Sequence, residues 1–239
     1  KHLSQGLQFQ SSYTLAKMTS NNINAQLNGD QGGSGSAFKP NPYKTDPGPV
    51  QWDLRHLWSF NAIYNLPSPS SGNALKALLS GWQASTIVML KSGFPVTPAI
   101  NIPWTNANGL ARTATDRPSV VPGVDLADIT SGVSRGCLGV PAGTPVGTTQ
   151  MWFDPCAFTK PEKGFEGNAE RGSIRGPAFA NVNLSMLKDI SVGGSRHLQV
   201  RAEVSNRLNR ANFAVPNAVI FQGATVHPVD SGSRTLKDA

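Results

Sequence analysis

The sequence predicts an all-β protein, an antiparallel β-barrel segment of about six strands long enough to cross a membrane. Three observations carry that expectation. Apolar and polar residues alternate with strand period in five separate blocks. These blocks run to about ten residues, where soluble strands average about five or six and membrane-spanning strands need about 9–11. The connections between them alternate long and short along the chain.

The first block, Leu7 to Lys17, places Leu7, Phe9, Tyr13 and Leu15 on one face and Gln8, Gln10, Ser12 and Thr14 on the other. In Leu54 to Leu66 the apolar face is Leu54, Trp58, Phe60, Ala62, Tyr64 and Leu66. Arg55, Ser59, Asn61 and Asn65 oppose it, with Leu57 and Ile63 as exceptions. From Trp82 to Lys91, Trp82, Ala84, Val88 and Leu90 oppose Gln83, Ser85 and Lys91. From Asn181 to Lys188, Val182, Leu184 and Met186 oppose Asn181, Asn183 and Ser185. The clearest block runs from His197 to Asn209. There Leu198, Val200, Ala202, Val204 and Leu208 oppose Gln199, Arg201, Glu203, Ser205, Arg207 and Asn209. Tyr13, Tyr64 and Trp82 stand near strand ends, where aromatic side chains suit a lipid–water boundary. Periodicity alone fits a soluble β-sandwich with one wet face per sheet equally well. The succession Arg201, Glu203, Arg207 on one face favours a water-filled lumen, so Arg55, Gln199, Arg201, Glu203 and Arg207 are the candidate lumen-facing residues.

Between the blocks, Thr19 to Trp52 reads as a polar loop rich in Asn, Gly and Pro, and residues 94–179 as a still longer loop. Pro67 to Gly81 and Asp189 to Arg196 are short. Within the former, Asn73 to Ser80 fits one or two helical turns with Asn73 as N-cap. Asn212 to Asp230, with Pro216, Gly223 and Pro228, reads as loop, and a sixth strand is expected from about Ser233. Long loops on one side and short turns on the other are the asymmetry of outer-membrane barrels.

Composition excludes several classes. Charged residues make up 15% and apolar residues 38% of the 239 residues, with 24 Gly and 18 Pro, as in a loop-rich β protein. The net charge of +7 comes from cations scattered singly, so ordinary solvated loops explain it better than a nucleic-acid site. An apolar run such as Ile87 to Leu90, which no other run exceeds, is too short for a membrane helix, which says nothing against strands. The chain opens on Lys1-His2-Leu3-Ser4 without an initiator Met or a signal-peptide core, and the expectation is that it begins within a longer protein. No catalytic or metal constellation is expected. His2, His56, His197 and His227 have neither HxxxH nor HExxH spacing, and no G-x-S-x-G motif or P-loop occurs. His56 beside Arg55 fits a lumen group or a satisfied structural residue, the latter being the commoner case. Arg201 and Glu203, two apart on one face, read as a local ion pair. Asp154 reads as a turn residue before Pro155. The two cysteines, Cys137 and Cys156, both lie in the longest loop. A disulfide is the expectation, because an extracellular loop is oxidising territory, and two free thiols are the alternative.

Several blocks resemble a known family. DLRHLWSFNAIYNLP (Asp53 to Pro67) is similar to an Asp-x-Arg-His strand of Oar-like TonB-dependent receptors. LLSGWQASTIVMLKSGFPVT (Leu78 to Thr97) resembles their Gly-Trp-Gln strand. WFDPCAF (Trp152 to Phe158), GNAERGSIRGPAFANVNLSMLKD (Gly167 to Asp189) and LQVRAEVSNRLNRANF (Leu198 to Phe213) match further blocks in the same order. The resemblance implies the C-terminal part of an outer-membrane barrel of about 22 strands, closed by a plug domain and energised by the TonB complex. It implies residence in the bacterial outer membrane, contact with its lipid, import of an unidentified ligand, no cofactor and no enzymatic step. The expectation is an incomplete barrel in which plug and TonB box belong to the missing N-terminal part. The ending SRTLKDA departs from the family's terminal aromatic. If the first strand runs outward, both long loops and Asn212 to Asp230 fall on the outer side. A surface adhesin or carbohydrate-binding β-sandwich is the runner-up.

Overall fold

The computed structural model describes residues 6–20, 47–69, 78–100, 117–137, 139–162, 165, 167–193, 196–222 and 227–228. In chain order the strands are β1 (Leu7–Leu15), β2 (Thr19–Ser20), β3 (Gly48–Pro49), β4 (His56–Asn65), β5 (Trp82–Lys91), β6 (Pro95–Val96) and β7 (Ala99–Ile100). They continue with β8 (Ser119–Val120), β9 (Phe158–Thr159), β10 (Ile174–Arg175), β11 (Phe179–Gly193), β12 (Arg196–Val204), β13 (Val219–Gln222) and β14 (His227–Pro228). A 3₁₀ turn at Pro155–Ala157 and helical backbone at 78–79 complete the described elements. The fold is all-β, and its strands pair antiparallel except for β7 with β13. The chain divides into two compact units.

The first unit is a five-stranded antiparallel sheet in the order β1-β4-β5-β11-β12. Every neighbour in the sheet is the next long strand in the chain, so the topology is a simple up-and-down meander. The sheet does not close into a barrel among the described residues. β5 matches the expected span, whereas the others shift at their ends. β1 stops at Leu15, and β4 excludes Leu54 and Leu66. β11 runs for 15 residues, absorbing most of the connection expected from Asp189 to Arg196. β12 ends at Val204, short of the expected Asn209. The cause is a turn built on Asn206 and Asn209, both at positive φ (50° and 48°). Asn206 is held by its backbone N–H donating to Asn183 Oδ1 and its side-chain amide donating to Arg210 O. Asn is among the few non-glycine residues that tolerate this conformation.

At the other end of the sheet, Gly81 (φ 75°) leads into β5. A Cβ there would stand 2.4 Å from Asp189 O, and Gly81 O in turn accepts from Asp189 N–H. The expected helical turns at Asn73 to Ser80 lie mostly outside the described residues, and so does the expected strand from Ser233.

The second unit gathers residues 16–54, 93–178 and 212–239. These are the three segments that follow β1, β5 and β12, the ones expected to share a side. The region read as one long loop therefore belongs to a folded body with its own core. Phe153, Ile100, Ile174 and Ile220 are fully buried, with Val96, Ile129 and Phe158 around them. Phe153 and Phe158 meet edge to face at 6.3 Å. Short ladders hold the unit: β2 with β3, β6 with β10, β8 with β9, and β13 with β7 and β14. Part of the segment read as loop, Asn212 to Asp230, is thus strand.

Candidate functional site: the two faces of the sheet

Register converts the alternation of each strand into two continuous surfaces. On one face Phe9 pairs with Ala62, Ala62 with Thr86, Thr86 with Leu184, and Leu184 with Val204. One level along, Phe60, Val88 and Val182 align. Towards the other end, Tyr64 aligns with Ala84, Met186 and Ala202. Tyr64, Leu184, Met186 and Val204 are exposed, Val204 to 51%, while Phe9, Phe60, Ala62, Val88 and Val182 are half-buried; beyond them Leu198 and Val200 are exposed. A contiguous apolar surface of this extent needs an apolar medium.

Aromatic side chains bound that surface at both ends. Tyr13 pairs with Trp58, which pairs with Leu90. At the far end Trp82 pairs with Lys188, which pairs with Val200. Trp82 and Leu90 stand eight residue steps apart in β5, about 27 Å along the strand at about 3.4 Å per residue. At the strand tilt of about 35–45° usual in such barrels, that spacing projects to about 19–22 Å along the membrane normal, somewhat less than an apolar band of about 25 Å.

The opposite face is mainly polar, with Leu57, Ile63, Ile87, Met89 and Leu187 among its members. Asn65 pairs with Gln83, and Gln83 Nε2 donates to Asn65 Oδ1 at 2.8 Å. Ser85 pairs with Ser185, their hydroxyls 2.6 Å apart, and Ser185 pairs with Glu203. Of the candidate lumen residues, Gln199, Arg201 and Glu203 lie on this face of β12, across from Asp189, Leu187 and Ser185. Arg201 and Glu203 form an ion pair with each other, both exposed. Asp189 and His197 approach to 3.5 Å on the same face. Arg55 lies one residue before β4, in phase with Leu57 and Ser59 of this face. Arg207 lies beyond β12, in the turn, where its backbone N–H donates to Val182 O. Strand alternation therefore does not place its side chain.

His56 is the residue whose lumen reading fails. It pairs with Leu15 and shares the face of Trp58, not that of Arg55's neighbours. Its Nδ1 stands 2.8 Å from the Tyr13 hydroxyl, and the two rings stack at 6.2 Å. Reasoning from the sequence also missed Lys188, a cation on the apolar face. Its pairing with Trp82 is a long-range fact that no local pattern carries.

In the second unit, Cys137 and Cys156 form a disulfide with Cα atoms 5.5 Å apart. Asp154 caps the 3₁₀ turn that carries Cys156: it accepts from Cys156 N–H, the Ser134 hydroxyl and Arg135 N–H. Asp53, buried, accepts from Met18 N–H and pairs with Arg175 at 2.9 Å. Arg171, also buried, donates to Ser20 O and Gly48 O beside the β2–β3 ladder. These are structural clasps. Among the described residues no group of three or more His, Cys, Asp or Glu side chains is placed to hold a metal ion.

A sheet with one exposed apolar face, one polar face and aromatic girdles defines the wall of a membrane β-barrel. The comparison with known families agrees. Residues 1–235 match the family model described as an outer membrane beta barrel domain, and the chain belongs to that family. It is accordingly a protein of the bacterial outer membrane. Neither a curated protein nor a solved structure matches it.

Proposed function

We propose that the chain forms part of the barrel wall of a TonB-dependent outer-membrane receptor that imports a ligand. The observation that carries this reading is the hydrogen-bonding face shared by β4, β5, β11 and β12, where Asn65 pairs with Gln83, Ser85 with Ser185 and Ser185 with Glu203, and Ile63 and Leu187 stand among them. A wall that is apolar outside and hydrogen-bonding inside encloses water rather than a packed core. The ordered blocks similar to Oar-like receptors, from Asp53 to Phe213, add the transport class. In this reading the TonB complex acts through another part of the receptor, and the lumen wall guides the ligand without a chemical step. On the same reading the Cys137–Cys156 disulfide staples a part of the receptor that meets oxidising surroundings. The adhesin or carbohydrate-binding sandwich finds no such support, because a sandwich buries one face of each sheet against another sheet, whereas this apolar face is exposed.

The test is genetic. Cells lacking the encoding gene, and cells lacking TonB, are grown on panels of iron chelates, glycans and peptides as sole sources. The reading expects at least one source on which both strains fail while the parent grows. Loss of surface attachment with uptake intact would favour the adhesin.

A further inference from the structure

Lys188 stands on the apolar face at the girdle level, in register with Trp82 and Val200. It is 93% buried, because its ammonium is occupied. Nζ donates to Leu78 O at 2.8 Å and to Ser80 O, and it lies 5.3 Å from the centre of the Trp82 ring. The indole Nε1 of Trp82 donates to the same Leu78 carbonyl at 2.9 Å. Both tethers start from the apolar face, so the 78–80 backbone is drawn to that side of the sheet and not to the polar side. Residues 78 and 79 have helical backbone, and the last carbonyls of a helical turn have no partner within it. Lysine and turn therefore satisfy each other. The turn they hold presents two leucines outward, Leu78 65% and Leu79 46% exposed.

We propose that this turn is a membrane-interface anchor: Leu78 and Leu79 insert at the headgroup–acyl boundary of the leaflet at this end of the sheet, and Lys188 with Trp82 holds them there. The occupant is lipid because two exposed leucines stand on a turn held from the apolar face at the level of the Trp82 girdle. A fixed positive charge at the same level suits the phosphate layer. The role of Lys188 is positioning: its charge secures the turn rather than binding a ligand.

The experiment uses the full protein in isolated outer membranes. A cysteine is introduced by Leu78→Cys and labelled with a polarity-sensitive fluorophore, the two native cysteines being engaged with each other. Gln83→Cys, on the polar face, is the comparison. The Leu78 label is expected to emit in the blue and to be quenched at least about twofold more by a fatty acid with a nitroxide near its headgroup than by aqueous iodide. The Gln83 label should show the reverse order. Iodide quenching at Leu78 equal to that at Gln83 would overturn the anchor. Adding Lys188→Met should raise iodide quenching at Leu78, and Lys188→Arg should restore the original value. No change with Lys188→Met would overturn the tether. Because the label on the otherwise unaltered protein reports depth by itself, the anchor stays testable even if Lys188→Met fails to assemble.

Discussion

Asn183 and Leu184 are neighbours in β11 and face opposite media. Leu184 lies level with Thr86, Ala62 and Phe9, midway between the Trp82 and Trp58 levels, which puts it near the bilayer centre. Leu184→Arg should therefore cost about 2–4 kcal/mol, the depth-dependent price of a cation on the lipid face. Asn183→Arg, on the polar face, should cost much less. Val200→Arg should cost only about 0–1 kcal/mol, because Val200 sits at the girdle beside Lys188. Denaturant titration of the folded protein in lipid measures all three. Equal costs at Leu184 and Asn183 would remove the assignment of faces. Lys188 shows what a single residue can conceal: alternation through Met186 reads correctly, yet the next apolar-face position is a lysine. It is tolerated through carbonyls more than a hundred residues earlier, at Leu78 and Ser80.

Elements were legible where they repeat. The period of two in β1, β4, β5, β11 and β12 is written locally, and pairing only had to align it. Leu57, Ile63, Ile87 and Met89 break the pattern by standing on the polar face. The second unit offered no such signal, because its ladders are mostly two residues long and its core collects single apolar residues from distant segments. Asp53 and Arg175, which clasp it, are 122 residues apart. The cysteine pair was the exception, legible because the sequence holds only two. A non-reduced digest of outer-membrane material should yield their peptides joined, and reduction should lower the unfolding free energy by about 3 kcal/mol for a loop of this size. Labelling of both thiols before reduction would contradict the bridge. The turn before β5 makes an equally local demand. Gly81→Ala should destabilise by at least about 1–2 kcal/mol, since the residue needs positive φ. The added methyl would also meet Asp189 O. The measurement is the denaturation midpoint, and an unchanged value would show that the turn relaxes freely.

At the scale of the whole molecule, the sheet explains why the chain belongs in a membrane wall. Among the described residues the outer edges of β1 and β12 carry no partner strand, and open edges are not tolerated in lipid. The five strands therefore describe one arc of a closed structure, with one side made for lipid and the other for water. That division is the central claim, and β11, paired with β5 from Phe179 and with β12 from Leu184, tests it most directly. Nitroxide labels placed one at a time on residues 181–186 of the protein in its membrane should report accessibility to oxygen and to a water-soluble nickel complex. Oxygen should collide most with labels at Val182, Leu184 and Met186, and nickel most with those at Asn181, Asn183 and Ser185, in strict alternation. A reversed phase, or six positions with the same balance of the two reagents, would contradict the account.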